Sequence, residues 1–78
     1  MTKRQKVLVT MRAVIQRINR KLKPDSEKLK MTRGERMRQE VGDYYVIDFK
    51  QNWITHKHVS PEQKARDLGV LQPWEIVQ

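Results

Sequence analysis

Thr10-Met11-Arg12-Ala13-Val14-Ile15-Gln16-Arg17-Ile18-Asn19-Arg20-Lys21-Leu22-Lys23 decides how the rest of this 78-residue chain must fold. Met11, Val14, Ile15, Ile18 and Leu22 recur at helical spacing, so at about 100° per residue they gather into one apolar stripe. That stripe predicts an amphipathic helix over 10–23 whose greasy side is covered by the remainder of the molecule. The opposite side carries Arg12, Gln16, Arg17, Asn19, Arg20, Lys21 and Lys23 and no acid at all. A surface helix with no acidic i,i+4 partner for its cations leaves their charge uncompensated locally. Pro24 stops the helix by disfavouring the α conformation at Lys23.

Upstream, Lys6-Val7-Leu8-Val9-Thr10 fits either a short strand or an earlier helix start near Lys3, where Thr2-Lys3-Arg4-Gln5 has capping-box spacing. Residues 1–6 also fit a mobile basic arm. Downstream, Glu27-Lys28-Leu29-Lys30-Met31-Thr32 alternates as a half-buried edge strand does, and its lysines suit an edge. Thr32-Arg33-Gly34-Glu35 repeats the capping spacing ahead of Met37 and Val41, which predicts a short helical turn ended by Gly42. Arg33, Arg36 and Arg38 make this segment dense in guanidinium groups, whose planar fork suits phosphate oxygens.

Asp43-Tyr44-Tyr45-Val46-Ile47-Asp48-Phe49 and Trp53-Ile54-Thr55-His56-Lys57-His58-Val59 are rich in aromatic and β-branched residues. Lys50-Gln51-Asn52 joins them as a hairpin, with Asn52 able to take a positive φ. Tyr45, Ile47 and Phe49 are expected to face the amphipathic helix, and Tyr44, Val46 and Asp48 to face away. Ser60-Pro61-Glu62-Gln63 then opens a helix, with a serine cap, proline at its first position and glutamine three after the cap. It should run through Leu68 and close on Gly69 in the left-handed conformation. Residues 72–78 read as an apolar tail, whose Trp74 docks on the domain or anchors a partner.

The expected architecture is a single small α+β domain spanning 1–78. An N-terminal amphipathic helix packs on an antiparallel sheet of two to three strands, followed by a short C-terminal helix, in the order α-β-β-β-α. That order resembles the double-stranded-RNA-binding domain over most of the chain. The resemblance stops short of that family's lysine cluster at the start of the second helix. Here Pro61-Glu62-Gln63-Lys64-Ala65-Arg66 offers only Lys64 and Arg66, so the family's binding residues are not carried over. Met11–Leu22, Thr32-Arg33-Gly34-Glu35-Arg36, Gly42–Asp48 and Leu68-Gly69-Val70-Leu71 are similar to phrases in short uncharacterised proteins of bacterial plasmids and integrative elements. That likeness implies a mobile-element origin and no particular chemistry.

Composition narrows the function. Residues 1–40 hold 13 basic and 4 acidic side chains, while residues 41–78 hold 4 and 5, so the net charge of +8 lies entirely in the first half. Such a one-signed field concentrates polyanions, of which nucleic acid is the commonest. With no cysteine there is neither a disulfide scaffold nor a thiolate zinc site. No apolar run approaches the roughly 20 residues a bilayer requires, and a lipid-surface helix is disfavoured because its apolar stripe is needed inside. The basic start lacks the apolar stretch of a secretion signal, so a cytoplasmic protein is expected.

Catalytic signals are sparse. His56 and His58, two apart on a strand, could share a face and hold a metal with Asp48 as third ligand, but such a pair is more often an ordinary exposed strand face, and no metal site is expected. Ser60 is accounted for as a helix cap, and Gly34, Gly42 and Gly69 are isolated rather than a phosphate loop. Tyr44 and Trp53 form a conceivable stacking platform for bases, against the plainer reading of aromatics as core. The sequence thus points to a non-enzymatic protein with no cofactor. It is expected to contact DNA or RNA phosphates with low sequence specificity through Arg12, Arg17, Arg20, Lys21, Lys23, Arg33, Arg36 and Arg38. The competing expectation is a protein-interaction module, or a homodimer, in which a basic rim surrounds an apolar anchor such as Trp74 and Ile76.

Overall fold

Thr10 settles the ambiguity at the start of the chain. Its backbone is extended and its hydroxyl accepts the Ala13 N–H at 3.1 Å, so helix α1 begins at Met11 and runs to Leu22. The residues before it are therefore free to extend, and Val7–Val9 form strand β1. The computed structural model describes residues 6–78, so the expected basic arm, Lys6 excepted, lies outside the described residues. So does the alternative helix start at Thr2-Lys3-Arg4-Gln5.

After α1 a 3-10 turn over Lys23–Asp25 accommodates Pro24, and Ser26 takes a φ of 62° to turn the chain into β2, Glu27–Met31. Helix α2 spans Glu35–Val41, strands β3 and β4 span Tyr44–Asp48 and Trp53–His56, helix α3 spans Pro61–Asp67, and β5 spans Glu75–Val77. The fold is α+β: β2, β3 and β4 form an antiparallel sheet in that order, and β1 and β5 form a separate parallel pair. Within the segment read as an apolar tail, then, Glu75–Val77 pairs with Val7–Val9 and ties the two ends of the described chain together. The Trp74 carbonyl accepts the Val7 N–H at 2.8 Å, and Val9 accepts from Gln78 at 2.7 Å. Among the described residues no helix is long and apolar enough to cross a membrane.

The hairpin forms as its residues predict. Asn52 has a φ of 62°, and the Asp48 carboxylate accepts the N–H groups of Lys50 and Gln51 at 2.9 and 3.0 Å, an Asx-type turn. Thr55 bulges within β4, where Val46 pairs with His56 and Ile47 with Ile54, and the strand stops short of Val59 because His58, at φ 53°, turns its N–H to the Val41 carbonyl. The Ser60 cap accepts from Gln63, and Gly69, at φ 74°, closes α3 while Val70 donates back to Ala65 at 2.9 Å.

Two local expectations are corrected. Val46, with Tyr44 packed beside it, faces the core shared with α1; Tyr45 is buried but lies outside that cluster, and Ile47 and Phe49 do not join it. The reason lies in β2. In the observed register Leu29 pairs with Val46, while Lys28 pairs with Ile47 and Lys30 with Tyr45. Cross-strand partners share a face, so burying Tyr45 and Ile47 under the helix would have buried two lysines with them. The capping box at Thr32 also fails to form. Gly34 caps α2 at φ 89° without a side chain, and the buried Thr32 hydroxyl instead donates to the Gly42 carbonyl. With the Thr32 N–H bonded to the Asp43 carbonyl at 2.8 Å, this bond clamps the base of the arginine-rich excursion between β2 and β3.

The core is small. Val14, Ile18 and Leu22 from α1 meet Leu29, Val46, Ala65 and Leu71, with Val9 closing one end. α1 packs against both β2 and α3, so only its outer ridge and two seams reach solvent.

Candidate nucleic-acid interface

On α1, Asn19 lies seven residues after Arg12 and four before Lys23, which places the three on one flank. That flank faces β2. β2 is a sheet edge, and Leu29 points its N–H and C=O outward, where no strand meets them. The Asn19 side chain supplies both missing partners: its Oδ1 accepts the Leu29 N–H at 2.7 Å and its Nδ2 lies 3.4 Å from the Leu29 carbonyl. The amide acts as one residue of a missing strand, blocking edge pairing at that point. Asn19, which the sequence places on the solvent face, is thus structural.

Two adjoining hollows run along this α1–β2 seam, and Asn19 and Lys28 line both. The larger, about 530 Å³, reaches toward α2 and is rimmed by Lys28, Lys30 and Arg33. Its apolar surface comes from Ile15, Met31, Met37 and Tyr45. The smaller, about 260 Å³, is bordered by Lys23, Glu27 and Phe49. The Thr55 hydroxyl lies 3.1 Å from the Glu27 carboxylate.

The other flank of α1 behaves differently. Arg17 points toward β5, where one guanidinium nitrogen donates to both carboxylate oxygens of Glu75, at 2.9 and 3.0 Å, and to the Val70 carbonyl at 3.1 Å. Glu75 is buried and also accepts the Gln72 N–H at 2.8 Å. The Arg17 hydrogen bond, reinforced by the Gln72 N–H and the positive charges of Arg17 and Arg66, holds its carboxyl below the ordinary range; burial opposes the shift without cancelling it. Arg20 and Lys21 line a shallow hollow beside Arg17 and Val70.

The eight cations expected to bind phosphate are therefore divided. Arg17 is tied to Glu75, and Arg38 is paired with Glu35 at 3.3 Å and Asp43 at 3.2 Å. Arg12, Arg20, Lys21, Lys23, Arg33 and Arg36 make no ion pair among the described residues and stay exposed. They do not share one surface: Lys23 and Arg33 border the β2 seam, Arg20 and Lys21 the far flank, and Arg36 rides on α2. Lys28 and Lys30, read from the sequence only as protection for a strand edge, are the cations that join Lys23 to Arg33. Their alternation on a strand was the available signal, since residues two apart share a face.

The histidines do not converge. β4 ends at His56, and His58 takes a φ of 53°, its backbone N–H bonded to the Val41 carbonyl at 2.7 Å. Asp48, the proposed third ligand, is engaged in the hairpin turn. Among the described residues no cluster of three or more His, Asp or Glu side chains is arranged to hold a metal. Nor do Tyr44 and Trp53 make a platform. Tyr44 packs on the core at one end of β3, whereas Trp53 pairs with Asp48 at the other, about 13 Å along the strand. Comparisons of the chain with protein-family models, with curated proteins and with solved structures find no match.

Proposed function

We propose that this protein binds nucleic acid through the phosphate backbone, with low sequence specificity, along the seam between α1 and β2. The observation that carries the reading is the row Lys23, Lys28, Lys30 and Arg33 beside a groove, with Arg12 on the same helical flank; among the described residues none of them is in an ion pair, though Glu27 borders the groove's smaller end. Cations without acidic partners exchange condensed counterions for phosphates, which is the main source of sequence-independent affinity. Arg17 and Arg38 are left out of the contact set because their charge is already met within the fold. Arg20, Lys21 and Arg36 add to the long-range field that draws a polyanion in.

With about five phosphate contacts, the log–log slope of affinity against salt is about −3.5 for a single strand and about −4.5 for a duplex. Fluorescence anisotropy of labelled DNA and RNA at several salt concentrations measures it. A flat salt response, or binding untouched by the double substitution Lys28→Glu and Lys30→Glu, overturns the reading.

One observation favours a second reading, a protein-interaction module with an acidic partner. β1 presents Val7 and Leu8, 49% and 64% exposed, on a pair of only two strands. Replacing both by Ser would weaken a protein partner or self-association and spare phosphate contacts, and sedimentation with and without nucleic acid separates the two.

A further inference from the structure

Resting on the phosphate-binding reading, we infer that the strand seated in the α1–β2 seam is unpaired, with bases turned into the groove against Met31 and Phe49. These two side chains are 59% and 48% exposed and flank the β2 edge from its two sides, Met31 in the hollow bordered by Lys28, Lys30 and Arg33, Phe49 in the one bordered by Lys23, Lys28 and the carboxylate of Glu27. A duplex keeps its bases stacked inside and presents phosphates outward, so it offers nothing to apolar groups set between the lysines. An unpaired strand offers both surfaces in alternation: phosphates for the rim, and flat apolar base faces for the floor.

The groove also fits the low base preference proposed above. Asn19 is the one side-chain amide at its centre, and the two ends of that amide are directed at the Leu29 backbone. The groups that remain along the rim are mainly cations, which recognise charge and not base edges. Glu27, held beside the Thr55 hydroxyl in the hollow it shares with Lys23, weakens phosphate contact at that end without removing it, so the Lys28–Arg33 side holds the backbone more firmly.

The test compares three labelled probes of equal length, about 12 nucleotides: a mixed-sequence single strand, the matching duplex, and an abasic single strand with the same phosphates. Wild-type protein should bind the single strand at least tenfold more tightly than either other probe. The double substitution Met31→Ala and Phe49→Ala should remove most of that preference while leaving duplex binding unchanged, with circular dichroism confirming the fold. Equal binding of the abasic and normal strands overturns the inference without any variant. Equal binding of duplex and single strand, both lost in the Lys28→Glu and Lys30→Glu protein, also overturns it but leaves the phosphate reading standing. Binding of no probe at low salt removes both.

Discussion

The two flanks of α1 carry similar residues and do different work. On the side facing α3 and β5, Arg17 meets a buried carboxylate and a carbonyl and becomes part of the scaffold. On the side facing β2, the polar group at the seam is a neutral amide, Asn19, which satisfies a strand edge without consuming charge. The cations around it are left for solvent or for a ligand. What distinguishes a structural arginine from an available one is therefore not its position on the helix. It is whether another part of the chain delivers an acid to it, and Glu75, 58 residues away, is delivered only when β5 pairs with β1.

The change that breaks both flanks together should have the largest effect. Ile18 is fully buried between them, and Ile18→Ala should cost about 3 kcal/mol, lowering the thermal midpoint by more than 10 °C on the usual scaling for a domain of this size. Loss of that magnitude in urea or thermal unfolding would confirm one shared core; a loss below about 1 kcal/mol would mean that the flanks fold independently.

Next comes Arg17→Met, which leaves the buried Glu75 carboxylate of β5 without its arginine. Glu75 is stabilised in its charged form, so its contribution is present above the ordinary carboxylate range and fades as pH falls through its lowered value. The variant should accordingly melt several degrees below wild type near neutral pH, and the gap should narrow as pH falls below the ordinary carboxylate range. A gap independent of pH would show that the pair with Glu75 is not the source of the effect. Asn19→Ala should cost less, about 1–2 kcal/mol, since it leaves the Leu29 N–H and C=O without protein partners in a part-buried position. It should also raise the tendency of β2 to pair with another chain, seen as concentration-dependent sedimentation. The smallest effect belongs to Arg20→Met, expected within about 0.5 kcal/mol of wild type because Arg20 is exposed and makes no ion pair among the described residues. A stability loss matching that of Arg17→Met would erase the distinction between a tied and an untied cation on this helix.

The sequence made local decisions legible wherever a short-range rule was strong. The apolar stripe of α1, the Ser60 cap with Pro61, the Asn52 turn and the Gly69 stop are each fixed by groups within four residues of one another, and the structure has all of them. The face of β3 does not follow from its own aromatic content, because the deciding constraint sits on its neighbour, where Lys28 and Lys30 stay exposed. The set of candidate cations was partly legible. Their residue types and their bias to the first half were plain, but Arg17 and Arg38 could not be told from the rest, and Lys28 and Lys30 were passed over as edge protection.

What the sequence determined alone is the three helices, the β3–β4 hairpin with β2 beside it, the concentration of positive charge in residues 1–40, and the absence of cysteine. These follow from composition and from interactions spanning a turn or less. The tertiary structure alone decided that the last residues form a strand beside β1, that Asn19 completes a sheet edge, and which cations keep their charge unmet. Each of those depends on groups brought together from distant parts of the chain, and a pairing at that range leaves no periodic trace in the order of the residues.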